Sequence, residues 1–240
     1  MLNQEQKPPF GGLGGRIKED LGLKNVIMNV FASSLKDEIL KGLPGTEVQW
    51  QMSARDPSLM NFPLFPGENA RVAAVLILLY PDNSSIHTVF MQRPEYEGIH
   101  GGQISFPGGK KEPEDESIIQ TALRETREET GADTSKINVI GTMTPLFIPV
   151  SNMLVTPVVG WLNQKPLFNN RIEEVSFLIN ADLKRFLDKS IVKSKPFEIR
   201  GQLVTIKYFD YDGNTIWGAT AMILQELIVL INRGSLSVQE

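Results

Sequence analysis

The feature that most constrains the fold is an acidic helix bounded by glycines. Residues 117–130 have apolar positions at helical spacing, a Gly-Gly pair stands ahead of them, and Gly131 follows at the position where glycine commonly ends a helix. Positions three and four apart on a helix are neighbours, so Glu125, Glu128 and Glu129 lie on one side within a single turn. The segment therefore predicts a rigid acidic ridge above an apolar face that packs on a sheet.

Such a ridge needs a positive charge, because three carboxylates at this spacing repel one another. The chain has no cysteine and two histidines, which excludes a thiolate nucleophile, a zinc knuckle and an iron–sulfur cluster. Any bound metal must therefore be held mainly by oxygen, which favours Mg²⁺ or Mn²⁺. The alternative is a solvent-exposed charged face, on which Arg124 and Arg127 form surface ion pairs.

The sequence around the ridge resembles the signature of the Nudix hydrolases. That signature is a glycine, five residues, an acid, seven residues and then Arg-Glu-apolar-any-Glu-Glu-any-Gly-apolar. Residues 124–132 are similar to its second half. Asp115 follows Gly109 at the first spacing, but eight residues separate it from Arg124, and Glu116 has the seven-residue spacing instead. The expected partner of Arg124 is therefore either Asp115 or Glu116.

The resemblance extends upstream to an element of the coenzyme A pyrophosphatase branch. Arg93, Gly102 and the Phe-Pro-Gly-Gly of residues 106–109 match this element at its spacings, whereas Gly98 stands where it has a second Arg. The resemblance covers about residues 40–232. It implies hydrolysis of coenzyme A or acyl-CoA to a phosphopantetheine and adenosine 3′,5′-bisphosphate.

The family implies an α/β Nudix fold, in which a mixed β-sheet is sandwiched between α-helices. The apolar pattern agrees, since it predicts a helix at about 25–42, strands from Ala70 onwards and a final helix at about 217–232. We expect residues 1–68 to be an N-terminal extension with a flexible start, that first helix and a packed loop. Residues 69–240 are expected to be the Nudix hydrolase domain.

The resemblance also implies roles for single residues. Glu125 and Glu129 are expected to bind Mg²⁺ or Mn²⁺, with Glu128 as a further ligand or as a base. Because the general base in this family often lies outside the signature, Glu174 is a second candidate, and Arg124 completes the predicted catalytic set. The predicted substrate-binding residues are Arg93, Phe106, Gly108, Gly109 and Lys110.

Composition limits the partners. The chain has 24 Lys and Arg against 28 Asp and Glu, a net charge of −4, and no basic block of the kind that binds nucleic acid. The longest apolar run is far shorter than the ~20 residues of a membrane helix. We therefore expect a cytoplasmic enzyme with a small nucleotide-type substrate, without nucleic-acid or membrane partners, and a homodimer by analogy with the family.

Two alternatives remain open at this point. The same chemistry could act on ADP-ribose or another nucleoside diphosphate conjugate. The chain could also be a Nudix-fold binding module that has lost catalysis, although a pure binding module need not keep Glu125, Glu128 and Glu129.

Overall fold

The computed structural model describes residues 13–53, 65–94, 102–169, 175–199 and 202–234. The helices are α1 (Leu13–Lys41), α2 (Thr46–Trp50), α3 (Ile118–Thr130), α4 (Leu183–Phe186) and α5 (Gly218–Arg233). The strands are β1 (Arg71–Asp82), β2 (Ser85–Gln92), β3 (Ile104–Ser105), β4 (Gly108–Lys110), β5 (Asn138–Thr142), β6 (Leu146–Ile148), β7 (Met153–Trp161), β8 (Phe177–Asp182), β9 (Val192–Ile199), β10 (Gln202–Tyr211) and β11 (Asn214–Trp217). None of the helices in these ranges is long and apolar enough to cross a membrane.

The central sheet is mixed and has the strand order β3-β2-β1-β7-β5, with β4, β6 and β8 paired to its members. Only β1 and β7 run parallel among the described pairs. Alternate residues of β1 enter two separate cores, as the two-residue period of a strand requires. Leu76 and Leu78 pack with α3, whereas Ile77 and Leu79 share a core with α1 and α5. The expected sheet between helices is confirmed.

The N-terminal extension shares this second core. Met28 and Leu35 of α1 are fully buried, and Phe31 is 3% exposed. The helix predicted at 25–42 begins earlier in the structure, at Leu13. The segment predicted as a packed loop contains the short helix α2, which lies against α5. The boundary between residues 68 and 69 stays a prediction.

A second, antiparallel sheet is formed by β9, β10 and β11. The sequence predicts a turn at residues 212–213 between the last strand and the final helix, which it predicts from about residue 217. The structure instead places β11 between the turn and α5, because four residues after the turn pair with the end of β10. This small sheet contributes residues to the lining of the cleft described in the next subsection.

Candidate active site

Two glutamates of α3 meet the backbone of β4. The Gly108 N–H donates to Glu129 Oε2 at 2.7 Å, and Glu129 is only 6% exposed. The carboxylate of Glu125 lies against Gly109, where an added Cβ would come within 2.4 Å of the carboxyl carbon. Gly109 is therefore required for close approach, because any side chain would displace Glu125. The structure thus brings together two of the predicted metal ligands.

Asp115 is the partner of Arg124. Arg124 donates from Nε to Oδ1 at 3.0 Å and from Nη2 to Oδ2 at 2.9 Å, which is a bidentate ion pair. The Glu112 N–H and the Thr121 hydroxyl also donate to Oδ2, both at 2.9 Å. These bonds, first among them those from Arg124, hold the pKa of Asp115 well below its usual range. Glu116, the other candidate partner, is exposed.

The remaining donors of Arg124 reach the acidic ridge. Nη1 donates to Glu125 Oε1 at 3.0 Å and to Glu128 Oε2 at 3.2 Å. Nη2 also donates to the Lys110 carbonyl at 3.0 Å, which ties α3 to β4. The positive charge that the crowded carboxylates require is therefore supplied, in this structure, by the chain's own guanidinium. Arg124 is partly buried in this network, with 16% of its side chain exposed, rather than placed on a fully solvent-exposed charged face.

Burial raises the pKa of Glu125, and repulsion from Glu128 adds to the rise. Arg124 acts in the opposite direction but does not cancel the effect of burial. An ionised carboxylate in this position is thus incompletely compensated, and a further cation beside it would favour the charged form.

The carboxylates of Glu125, Glu128 and Glu129 are ligands of the type that binds a hard cation, although they are not arranged as a complete metal site. In the described ranges, no three Asp, Glu or His side chains are grouped closely enough to hold a metal ion. Glu125 and Glu128 are instead bonded to Arg124, and Glu129 accepts from Gly108. The acceptors are all carboxylate oxygens, which are the ligands that Mg²⁺ and Mn²⁺ prefer.

A cleft of about 1640 Å³ opens beside the ridge. Glu125 and Glu129 line it, so the two glutamates that meet β4 face a space large enough for a nucleotide-sized ligand. The cleft is also lined by all the predicted substrate-binding residues, Arg93, Phe106, Gly108, Gly109 and Lys110.

These substrate-binding candidates differ in what their side chains do. Arg93 Nη2 donates to the carbonyl of Gly108 at 3.3 Å, and Gly108 is also the residue whose N–H donates to Glu129. The Lys110 side chain is exposed, whereas its carbonyl is bound by Arg124. Phe106 is 1% exposed and its ring lies 4.6 Å from that of Phe90, which favours a packing role for the ring.

The small sheet contributes cleft residues that the sequence did not predict. Phe197 of β9 and Trp217 of β11 have ring centroids 4.7 Å apart. Lys195 donates from Nζ to the Thr215 hydroxyl at 2.9 Å and, like the two aromatic residues, lines the cleft. Strand pairing brings these residues together from separate parts of the chain. The two-residue period of a strand places Lys195 and Phe197 on the same face of β9, and this is the signal in the sequence that could have found them.

Glu174, the second candidate for the base, lies outside the described residues, as does Gly98 of the upstream element.

Comparisons with known proteins match the chain to one family of domains. The NUDIX domain family model matches residues 70–184. An uncharacterized Nudix hydrolase named NudL from Yersinia pestis (strain Pestoides F) is 33% identical over 180 residues, which cover 75% of this chain and 88% of that protein. NudL of Yersinia pseudotuberculosis serotype O:1b (strain IP 31758) gives the same figures. Among solved structures, the Nudix hydrolase RenU from M. smegmatis has a TM-score of 0.48 at 14% identity, covering 68% of this chain and 87% of that one.

Proposed function

Because the chain belongs to the Nudix hydrolase family, we propose that it is a metal-dependent enzyme that hydrolyses the diphosphate of a nucleoside diphosphate conjugate, preferably coenzyme A or acyl-CoA. The observation that carries the proposal is the convergence of Glu125 and Glu129 on the Gly108-Gly109 backbone at the wall of a nucleotide-sized cleft. The proposed products are phosphopantetheine, or its acyl form, and adenosine 3′,5′-bisphosphate.

In this proposal, Glu125 and Glu129 hold the ion and Glu128 is a further ligand or the base. When bound, Mg²⁺ or Mn²⁺ neutralises diphosphate charge and lowers the pKa of water. Glu128 suits a role in proton transfer because 38% of its side chain is exposed. To bind the ion, Glu125 and Glu128 must give up the hydrogen bonds that they accept from Nη1 of Arg124. Arg124 can release them and keep its place, because Asp115 holds its Nε and Nη2.

The walls of the cleft support a substrate with both phosphates and a nucleoside. Arg93 and Lys195 add two cations to the cleft wall, and a guanidinium can bind a phosphate through two parallel hydrogen bonds. The paired rings of Phe197 and Trp217 offer an aromatic surface for a base. Coenzyme A has a 3′-phosphate in addition to its diphosphate, so it can use a cationic contact that ADP-ribose cannot.

A hydrolysis screen tests the proposal. Coenzyme A, an acyl-CoA, dephospho-CoA, NADH, ADP-ribose and diadenosine polyphosphates would be incubated with the enzyme and Mg²⁺ or Mn²⁺, with EDTA as the control. Chromatography should show adenosine 3′,5′-bisphosphate from coenzyme A in the presence of metal only. Much faster cleavage of ADP-ribose would contradict the coenzyme A assignment while leaving the chemistry intact. Binding without cleavage of any compound would favour an inactive binding module.

The cytoplasmic location and the homodimer stay predictions. Size-exclusion chromatography with light scattering would test the oligomeric state.

A further inference from the structure

The N-terminal extension supplies part of the cleft wall. Trp50, the last residue of α2, is half-buried against the core and lines the cleft. The lining also includes Ala219, Met222 and Ile223 from the first turns of α5, the helix that α2 contacts. This part of the lining, together with Leu146, carries no formal charge, in contrast to the part that contains the glutamates and Arg93. Its chemistry fits an uncharged group rather than a phosphate.

A buried carboxylate fixes α2 in this place. Glu226 of α5 is fully buried, and its Oε1 accepts from the Gly45 N–H at 3.1 Å, directly before α2. Its Oε2 accepts from Gln49 Nε2 at 2.9 Å, one residue before Trp50. The Thr144 hydroxyl also donates to Oε1, and the same Gln49 nitrogen donates to the Thr144 carbonyl at 2.9 Å.

This arrangement depends on the carboxylate having two acceptor oxygens. Three donors point at Glu226, and a buried donor that loses its acceptor is costly because it has also lost water. An amide at this position would offer one acceptor and would place an NH₂ group against at least one donor. The position of α2, and with it the direction of Trp50, is therefore sensitive to a single residue of α5.

We propose that the N-terminal extension is part of the substrate site. Trp50 is a specificity-determining residue that contacts the uncharged arm attached to the diphosphate, and Glu226 is a positioning residue that acts through α2. The inference rests on the proposed function for the class of ligand, a nucleoside diphosphate with an arm, and adds which residues recognise the arm.

Binding in EDTA tests Trp50 without depending on hydrolysis. Coenzyme A carries the arm and ADP does not, so Trp50→Leu should weaken coenzyme A by about tenfold and leave ADP unchanged in calorimetric titrations. Trp161→Leu is the matched control, because Trp161 is also half-buried on the core but lies outside the cleft lining. Equal losses for the two ligands would overturn the assignment to the arm, as would unchanged binding of coenzyme A or a wild-type protein that binds neither ligand.

Steady-state kinetics tests Glu226. Glu226→Gln should raise KM for coenzyme A with kcat unchanged, because the ridge on α3 is untouched. Thr144→Val removes one of the three donors and provides a milder variant if Glu226→Gln does not fold, and Thr144→Ser keeps the hydroxyl as the control. Tryptophan fluorescence, to which Trp50 contributes with two other tryptophans, should shift towards longer wavelength in the valine variant but not in the serine variant. A fall in kcat at unchanged KM, or identical behaviour of the two Thr144 variants, would overturn the positioning role.

The two proposals can fail separately. A wild-type protein that binds coenzyme A through Trp50 but cleaves nothing would refute the proposed function and leave this inference standing. An active enzyme that has the same KM for coenzyme A in Trp50→Leu and Trp161→Leu would refute this inference and leave the proposed function standing.

Discussion

Replacing Asp115 by asparagine should destabilise the protein strongly. The asparagine keeps the size of the side chain but turns one of two acceptor oxygens into a donor, facing a guanidinium that already donates twice. Removing one partner of a buried ion pair costs about 3–5 kcal/mol, and the lower end applies because 16% of the Arg124 side chain is exposed. At roughly 2–4 °C per kcal/mol for a chain of this size, a loss of about 3 kcal/mol lowers Tm by about 6–12 °C.

Differential scanning calorimetry measures this effect, with Glu116→Gln as the matched control. Glu116 is exposed, so its amide should change the free energy of unfolding by less than about 0.5 kcal/mol. Equal stability of the two variants would refute the assignment of Asp115 as the partner of Arg124. A large loss of metal affinity in Asp115→Asn without destabilisation would show that Asp115 is a ligand rather than a brace.

The depressed pKa of Asp115 adds a pH dependence to the same comparison. Because the pKa is lower in the folded state, the contribution of this group is complete above its unfolded-state pKa of about 4 and is lost as the pH falls through the folded-state pKa. The stability difference between wild type and Asp115→Asn should therefore be constant near neutral pH and shrink in acid. A difference that grew below pH ~4 would contradict the ion pair.

Two further substitutions separate positioning from stability. Gly109→Ala should leave Tm nearly unchanged, since the flexible end of Glu125 can move away from the new methyl group, but the displaced carboxylate should lower the hydrolysis rate by about a hundredfold. Gly67→Ala is its control, because an added Cβ there meets nothing within 4 Å, and equal rates in the two variants would contradict the prediction. Arg93→Ala should raise KM for coenzyme A by about tenfold and affect dephospho-CoA less, since a lost charge-assisted hydrogen bond has that magnitude. Equal effects on both substrates in kinetic assays would exclude contact between Arg93 and the 3′-phosphate.

The acidic helix is the part of the site that the sequence predicts best, because its signals are local. The Ser117 hydroxyl caps α3 by accepting from the Gln120 N–H, and Gly131 ends it with a φ of 70°. Thr126 is fully buried on the sheet-facing side, in the position expected of an apolar residue. The caps of α3 and its helical period both depend on residues that are close in the sequence, and both are present in the structure.

The partners of the ridge were only partly predictable. Spacing alone left Asp115 and Glu116 equal as partners of Arg124, and the loop between β4 and α3 decides in favour of Asp115. Nothing in the sequence indicated that Arg124 would donate hydrogen bonds to both Glu125 and Glu128. This arrangement requires Asp115 to hold the other side of the guanidinium group.

The short elements were missed because they depend on distant residues. α2 has five residues and β11 has four, too few to show a period. Glu226 holds α2 from a position 177 residues after Gln49, and β11 exists through its pairing with β10. These elements bring Trp50 and Trp217 to the cleft, so the wall proposed to recognise the substrate is less visible in the sequence than the ridge proposed to cleave it.

The rate of diphosphate cleavage by Glu129→Gln at saturating Mg²⁺ or Mn²⁺ tests metal-dependent hydrolysis on the ridge most directly. Glutamine keeps the size of the side chain and can still accept from the Gly108 N–H, so the fold and Tm should persist. It lacks the charge that a hard cation needs. We expect turnover to fall by at least about a hundredfold relative to wild type, with Glu116→Gln retaining full activity. Unchanged turnover of Glu129→Gln at saturating metal would contradict the assignment of Glu129 as a metal ligand.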